Sequence, residues 1–219
     1  MTTPAVPDRL TDAEVQGYFD RANGLAGLAV TRALYADWAG RYDATIERFG
    51  RYLSPDRIAA LVALHRPDRG AAVLDVACGT GLVGAALARQ RYQGLTGLDL
   101  SEEMLAEARR KGCYGRLIAR DVGEMAEVGR FAVVVCGGAL TLGHLGVAGF
   151  GAMVALLAPG GLLVTDVEGG TYASQGFGAA LEGMVGDGLL AGFDLAEGHF
   201  YTPAQDEPPH GWFLTAWRG

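Results

Sequence analysis

Three aspartates and one glycine run carry most of the chemistry legible in this chain of 219 residues. In "LDVACGTGLVGAAL", Gly79, Gly81 and Gly84 stand in G-x-G-x-x-G order behind Asp75, and Asp99 and Asp121 follow further along. Gly79 and Gly81 let the backbone turn tightly and approach a ligand. A helix starting near Leu82 would aim free N–H groups and a partial positive charge at that ligand, which suits a carboxylate as well as a phosphate. Asp99 is placed to accept two ribose hydroxyls, and hydrogen bonds to a charged, buried acceptor are each worth roughly 1.5–3 kcal/mol. Asp121 can accept the amino hydrogens of an adenine while Val122 N–H meets a ring nitrogen. The glycines alone fit a nicotinamide dinucleotide as well. Asp75 shifts the balance, because a carboxylate beside a pyrophosphate is repelled. An acid there suits an adenosine ligand bearing an amino group and a positive centre. Gly84 is expected only to pack helix on strand.

The elements that must position these residues read as one domain over 1–219, with an N-terminal helical cap at 1–66 and a sheet core at 71–219. A short disordered leader precedes "LTDAEVQGYFDRANGL", a helix that Thr11 or Asp12 can cap and Gly24 can end. Leu34, Trp38, Tyr42 and Ile46 share one face of a second helix, or of two broken near Gly40. "SPDRIAALVALH" is a third, with Ser54 as its cap. From Ala71 short apolar strands alternate with helices, which implies a parallel sheet covered on both faces. Ser101 caps the helix "SEEMLAEARRKG". "SQGFGAALEGMVGDGLLAG" supplies a last helix, and "FDLAEGHFYTP" with "GWFLTAWR" an antiparallel pair, since "AQDEPPH" is too short for a crossover. The fold class is α/β: a Rossmann-like, doubly wound, seven-stranded sheet, mostly parallel, with the last strand antiparallel.

Composition narrows the partners. Eighteen Lys and Arg against 25 Asp and Glu give a net charge of −7, the wrong sign for a surface that must neutralise many phosphates, so no nucleic acid is expected. Cys78, Cys113 and Cys136 are odd in number and show no C-x-x-C spacing, and the histidines lie far apart. Neither a disulfide framework nor a metal site follows. No run approaches about 18 apolar residues, so a cytoplasmic protein with no membrane partner is expected. Oligomeric state stays open.

"VLDVACGTG", "GLDLSEEML", "ARDVGEM", "VVVCGGAL" and "LLAPGGLLVTDV", in this order and spacing, resemble the successive motifs of class I S-adenosylmethionine-dependent methyltransferases. "LYADWAGRYD", "GTGLVGAAL", "GCYGRL" and "HGWFL" are similar to a methyltransferase-like branch of that family. The resemblance implies S-adenosyl-L-methionine as cofactor, S-adenosyl-L-homocysteine as product and in-line methyl transfer to a small-molecule acceptor. It also implies that Asp75, Ala77, Gly79 and Gly81 hold the methionine part, Asp99 the ribose, Leu100 and Met104 the adenine faces, and Asp121 and Val122 its edge. Cys136 and Gly137 would lie near the sulfur, and Tyr42 would close over the cofactor, with Trp38 one turn away; the alternative is that both are core aromatics. "CGGAL" departs from the N-P-P-Y type tetrad that holds a flipped base, which argues against nucleic-acid bases as acceptors.

Transfer from a sulfonium needs alignment more than a general base. If a base exists, His144 is the candidate catalytic residue, with a wall or capping role as the alternative. His210 could reach the substrate mouth, whereas His65 and His199 read as structural or exposed. Cys78 reads as a small buried residue. Asp166 and Glu168 either line an acceptor pocket or are solvated loop acids. Arg109, Arg110 and Lys111 complement a helix dipole. An NAD-dependent oxidoreductase, a methyltransferase acting on a protein partner and a cofactor-binding module without activity are the competing readings. The acceptor atom is open among oxygen, nitrogen, sulfur and carbon.

Overall fold

The computed structural model describes residues 11–23 and 27–219. The expected leader and helix-ending Gly24 lie outside them. Helix α1 (Asp12–Asn23) starts on a reciprocal cap: the Thr11 hydroxyl accepts from Glu14 N–H (3.3 Å) and the Glu14 carboxylate accepts from Thr11 N–H (2.7 Å). Helices α2 (Leu28–Trp38) and α3 (Tyr42–Phe49) are separated by a 3-10 turn, Ala39–Arg41, at the break expected near Gly40. Their shared face buries Leu34, Trp38 and Ile46 against Tyr18 and Ala22. Trp38 stacks on Tyr18 at 4.8 Å between ring centres, and its indole N–H donates to Thr45 Oγ1 (3.1 Å). That indole is the centre of the cap's own core.

Helix α4 (Ser54–His65) differs from expectation in two ways. Leu53, not Ser54, holds the cap position, and Ser54 is the first helical residue, fully buried. Ile58, Ala59 and Val62 pack against the sheet residues Val73, Val133 and Val135, so α4 covers the sheet and the cap proper is α1–α3.

Seven strands, β1 (Val73–Val76), β2 (Leu95–Asp99), β3 (Arg116–Ala119), β4 (Phe131–Cys136), β5 (Leu157–Glu168), β6 (Leu190–Gly198) and β7 (Gly211–Arg218), form one sheet in the order β3-β2-β1-β4-β5-β7-β6. Pairing is parallel from β3 through β5, and β7 runs antiparallel to both neighbours. The connecting helices are α5 (Leu82–Arg89), α6 (Glu102–Lys111) and α7 (Val147–Ala155), with Ser101 Oγ accepting from Met104 N–H at the start of α6. The helix expected over 174–192 is the shorter α9 (Phe177–Gly186), since β6 begins at Leu190, and an unexpected short helix α8 (Gly169–Ser174) precedes it. Gly176, at φ +67°, turns the chain between them.

Strand alternation decides where the site residues point. On β1, Val73 packs on the α4–α5 side, while Leu74 and Val76 join Phe150, Met153 and Phe177 on the other. Period two therefore sends Asp75 under α5. On β4, Val133 and Val135 face α4–α5, and Val134 and Cys136 face α7.

Candidate cofactor and acceptor site

The strand order reverses between β1 and β4, and in open α/β sheets ligands bind outside the carboxyl ends at such a point. After β1 the chain takes positive φ at Ala77 (+53°), Gly79 (+53°) and Gly81 (+89°), the last capping α5 in a left-handed conformation. Ala77 pays strain of order 1–3 kcal/mol for that position, a cost that concentrates at ligand sites. Asp99 ties the turn to β2: its Oδ2 accepts from Gly79 N–H (2.8 Å) and its Oδ1 from Ser101 N–H (2.9 Å). A carboxylate has about four lone-pair sites, so each oxygen keeps one for a ligand. Burial raises the Asp99 pKa, opposed by the N–H groups of Ser101 and Gly79.

A cavity of about 330 Å³ opens over this turn. Asp99, Leu100, Asp121 and Val122 line one side, Ala77, Gly137 and Gly138 the floor, and Thr31, Tyr35, Tyr42 and His144 the other side. Asp121 is fixed by Gly123 N–H, which donates to its Oδ1 (2.6 Å). The cap is clasped to the glycine turn: Thr80 Oγ1–H donates to Asp43 Oδ1 (2.5 Å), and Lys111 Nζ donates to Asp43 Oδ2 (2.5 Å) and Thr80 O (2.8 Å). Lys111, expected only to complement a helix dipole, thus joins α6, the turn and α3.

Of the expected cofactor residues, the cavity brings together Tyr42, Ala77, Asp99, Leu100, Asp121, Val122 and Gly137, together with His144. Gly79 and Gly81 shape the turn without lining it. Met104 is buried in α6 (1% exposed), and Cys136, fully buried, faces the α7 side of the sheet because of strand alternation. Asp75 also stays behind the wall.

Asp75 is 1% exposed, and its Oδ2 accepts from the Tyr114 hydroxyl at 2.5 Å. The Tyr114 ring lies in a slot made by glycines. A Cβ on Gly81 would come within 2.9 Å of it and one on Gly97 within 3.1 Å, while one on Gly84 would collide with its tip. Gly84 therefore does more than pack helix on strand: it admits a tyrosine whose hydroxyl anchors the buried acid. Burial pushes the Asp75 pKa up to about 7, with the Tyr114 hydroxyl opposing the rise. Sequence reading missed Tyr114, although "GCYGRL" places an aromatic just before β3 with nothing local to pack on.

A second cavity of about 460 Å³ shares Tyr35, Tyr42, Gly138 and His144 with the first and extends between the cap and the ends of β5 and β6. Tyr52, Phe200, Tyr201, Glu168 and His210 form its far wall. Tyr52 and Tyr201 stack at 5.0 Å and form a backbone bridge, a pairing across about 150 residues that no local pattern announces. Asp166 lies behind Gly138, whose N–H donates to its Oδ1 (2.7 Å). It is 2% exposed, so it is not a solvated loop acid. Glu168 accepts from Gly170 and Thr171 N–H (both 2.8 Å), capping α8. Burial alone would raise its pKa, but these donors outweigh it and hold Glu168 below the usual range.

His144 joins the two cavities. Its Nδ1 lies 3.1 Å from Leu142 O and 3.0 Å from Thr141 Oγ1, and its Nε2 lies 2.7 Å from the Tyr35 hydroxyl. A carbonyl only accepts, so the proton is assigned to Nδ1, and Nε2 accepts from Tyr35. Burial lowers the His144 pKa and raises that of Tyr35, keeping both neutral. His210, expected at the substrate mouth, lines the second cavity, with its Nδ1 accepting from Phe200 N–H (3.1 Å). His65 packs edge-on against Trp217. Among the described residues no three His, Cys, Asp or Glu side chains gather as metal ligands, and no helix is long and apolar enough to cross a membrane.

Residues 73–161 match a family model described as a methyltransferase domain. Human methyltransferase-like protein 27 is 36% identical over 138 residues, 60% of this chain and 56% of the relative. The dTDP-3-amino-3,6-dideoxy-alpha-D-glucopyranose N,N-dimethyltransferase of Streptomyces fradiae is 35% identical over 127 residues, 55% of this chain and 49% of the relative. The chain thus spans about half the length of the curated relatives it matches. Among solved structures, an amino pentose methyltransferase of Micromonospora echinaspora, with bound S-adenosylmethionine, superposes with a TM-score of 0.55 at 22% identity, covering 80% of this chain and 95% of that one. Residues 73–161 are thus similar to a methyltransferase domain, and the chain shares the fold of a methyltransferase solved with bound S-adenosylmethionine.

Proposed function

We propose that this chain transfers a methyl group from S-adenosylmethionine to a small molecule seated in the second cavity. The observation that carries the reading is the junction of the two cavities at Tyr35, Tyr42, Gly138 and His144, which supports an acceptor seated beside the cofactor under one cap. The first cavity fits the cofactor: Asp99 keeps a lone pair on each oxygen for ribose hydroxyls, Leu100 and Val122 present apolar surface for adenine, and Asp121 offers a carboxylate for its edge. The turn from Ala77 to Gly81 borders the space for the methionine part, and Asp75 braces it from behind through Tyr114. When bound, the cofactor supplies a methyl already activated on a sulfonium. This chain's contribution is then alignment, for which well-oriented pairs gain roughly 7–11 kcal/mol. Tyr42 covers both partners, and Tyr35 with His144 stands where an acceptor proton would leave.

A small molecule, and not nucleic acid, is the acceptor in this reading. The net charge of −7 and the carboxylates around both cavities support it. Both methyltransferase relatives named above for amino sugars act on small molecules, which supports the same class. The dTDP-sugar of one carries a diphosphate, however, and no described residue lining the second cavity is a Lys or Arg to pair with it. We place the reaction in the cytoplasm, in keeping with three free cysteines. A labelled-methyl assay on a cell extract, resolved into small molecules and macromolecules, tests the proposal. Label is expected in the small-molecule fraction; label confined to protein or nucleic acid would overturn it.

A further inference from the structure

The second cavity has an electrostatic character that narrows what it can hold. Its walls are aromatic, chiefly Tyr35, Tyr42, Tyr52 and Tyr201, and no described residue lining it is a Lys or Arg. Glu168 contributes a carboxylate held in its charged form by three donors. Behind Gly138 the buried Asp166 accepts from Gly138 N–H (2.7 Å), and burial raises its pKa, so Glu168 carries the charge of this wall. His210 is turned to Glu207, 3.1 Å from Nε2. Aromatic rings and the Glu168 carboxylate together attract a cation and repel an anion.

We infer that this cavity takes an amine, a molecule of apolar or neutral body bearing a primary or secondary amino group, and that the Tyr35 oxygen accepts a hydrogen bond from that group. The inference rests on the proposed methyltransferase reading for its consequence, though not for the binding itself. Tyr35 lines both cavities and already donates its hydroxyl proton toward His144 Nε2, so its oxygen offers a lone pair on the cavity side. An amino N–H of the bound molecule donates to that lone pair, and the proton stays on nitrogen. His144 stays neutral, with Nδ1–H held to Leu142 O and Nε2 accepting from Tyr35, and so fixes the direction of the Tyr35 hydroxyl.

The experiment uses three probes of one shape, phenethylamine, 2-phenylethanol and phenylacetate, titrated into the protein with and without saturating S-adenosylhomocysteine. Calorimetry reads affinity, and the His144 ring carbon–proton signals report on its hydrogen bond with Tyr35. Phenethylamine is expected to bind at least about tenfold more tightly than phenylacetate and to shift the His144 signals. Glu168→Gln, which keeps an acceptor for the α8 cap, should reduce that preference severalfold. Tyr35→Phe, which removes the accepting oxygen and keeps the ring, should weaken phenethylamine at least about threefold and abolish the His144 shift. Phenylacetate binding as tightly as the amine, no binding of any probe, or a His144 shift that survives Tyr35→Phe would overturn the inference. Failure of S-adenosylhomocysteine to bind while amine selectivity persists would instead sink the methyltransferase reading and leave this one standing.

Discussion

The sheet side of the first cavity is held by backbone donors close in sequence, whereas the cap side is held by side chains drawn from distant elements. Asp99 fixes the glycine turn through Gly79 N–H and its own helix start through Ser101 N–H. On the opposite side, Tyr35 meets His144, Lys111 meets Asp43, and Tyr52 stacks on Tyr201. The first kind of wall follows from strand ends and turn geometry, so local pattern reveals it. The second depends on tertiary packing, and it is also the wall that shapes the second cavity, the proposed acceptor space.

The largest effect should come from the sheet side. Asp99→Ala removes two prospective ligand contacts to a charged acceptor and releases the turn. Loss of about 3 kcal/mol or more, at least 100-fold in cofactor affinity, is expected by calorimetry, with a folded protein by circular dichroism. Affinity within tenfold of wild type would mean that the cap side, not Asp99, carries recognition.

Next in size is the glycine slot. Gly84→Ala drives a methyl into the Tyr114 ring and should cost about 1–3 kcal/mol in urea denaturation. Tyr114→Ala will itself be destabilising, but adding Gly84→Ala to it should then cost little. Additive losses would show that the slot is not the reason for the glycine.

Asp75 gives a pH signature. Its pKa is raised from 3.8 to about 7 in the folded chain, so the folded state holds this proton more tightly than the unfolded one. The stability it contributes is fully present below about pH 4 and is lost as the pH rises through about 7. Asp99 and Asp166 shift in the same direction, so the test is a difference. The urea midpoint of wild type should fall more between pH 4 and 7 than that of Asp75→Asn; equal slopes would contradict the assignment.

The smallest effect belongs to the clasp on the cap. Lys111→Met removes a partly exposed pair to Asp43, worth about 0.2–1 kcal/mol, so cofactor affinity should weaken by no more than about fivefold with little change in the unfolding midpoint. A loss as large as that of Asp99→Ala would erase the distinction between the two walls.

Much of the sheet side is legible in the sequence. The alternation of apolar runs and helices announces the strands, and Asp99, Asp121 and Val122 follow from their position at strand ends, whereas Leu100 follows only from the family resemblance. What misled was direction within a strand. Asp75, Cys136 and Met104 are near the site in sequence, yet strand alternation and helix facing turn all three into the interior. On the cap, the spacing of Leu34, Trp38, Tyr42 and Ile46 announced one helical face, but the partner of each ring lies far away in sequence. Tyr35 and Tyr201 carry no local mark of their place because only packing across the sheet ends brings them to one cavity.

The central claim is that the glycine turn and Asp99 make a site for an adenosine ligand with an amino-acid tail and not for a dinucleotide. Calorimetric titration of the intact chain with S-adenosylhomocysteine and, separately, with NADH tests it most directly. One equivalent of S-adenosylhomocysteine should bind with micromolar or tighter affinity and NADH should give no heat. Saturable NADH binding, or none by S-adenosylhomocysteine, would contradict the account.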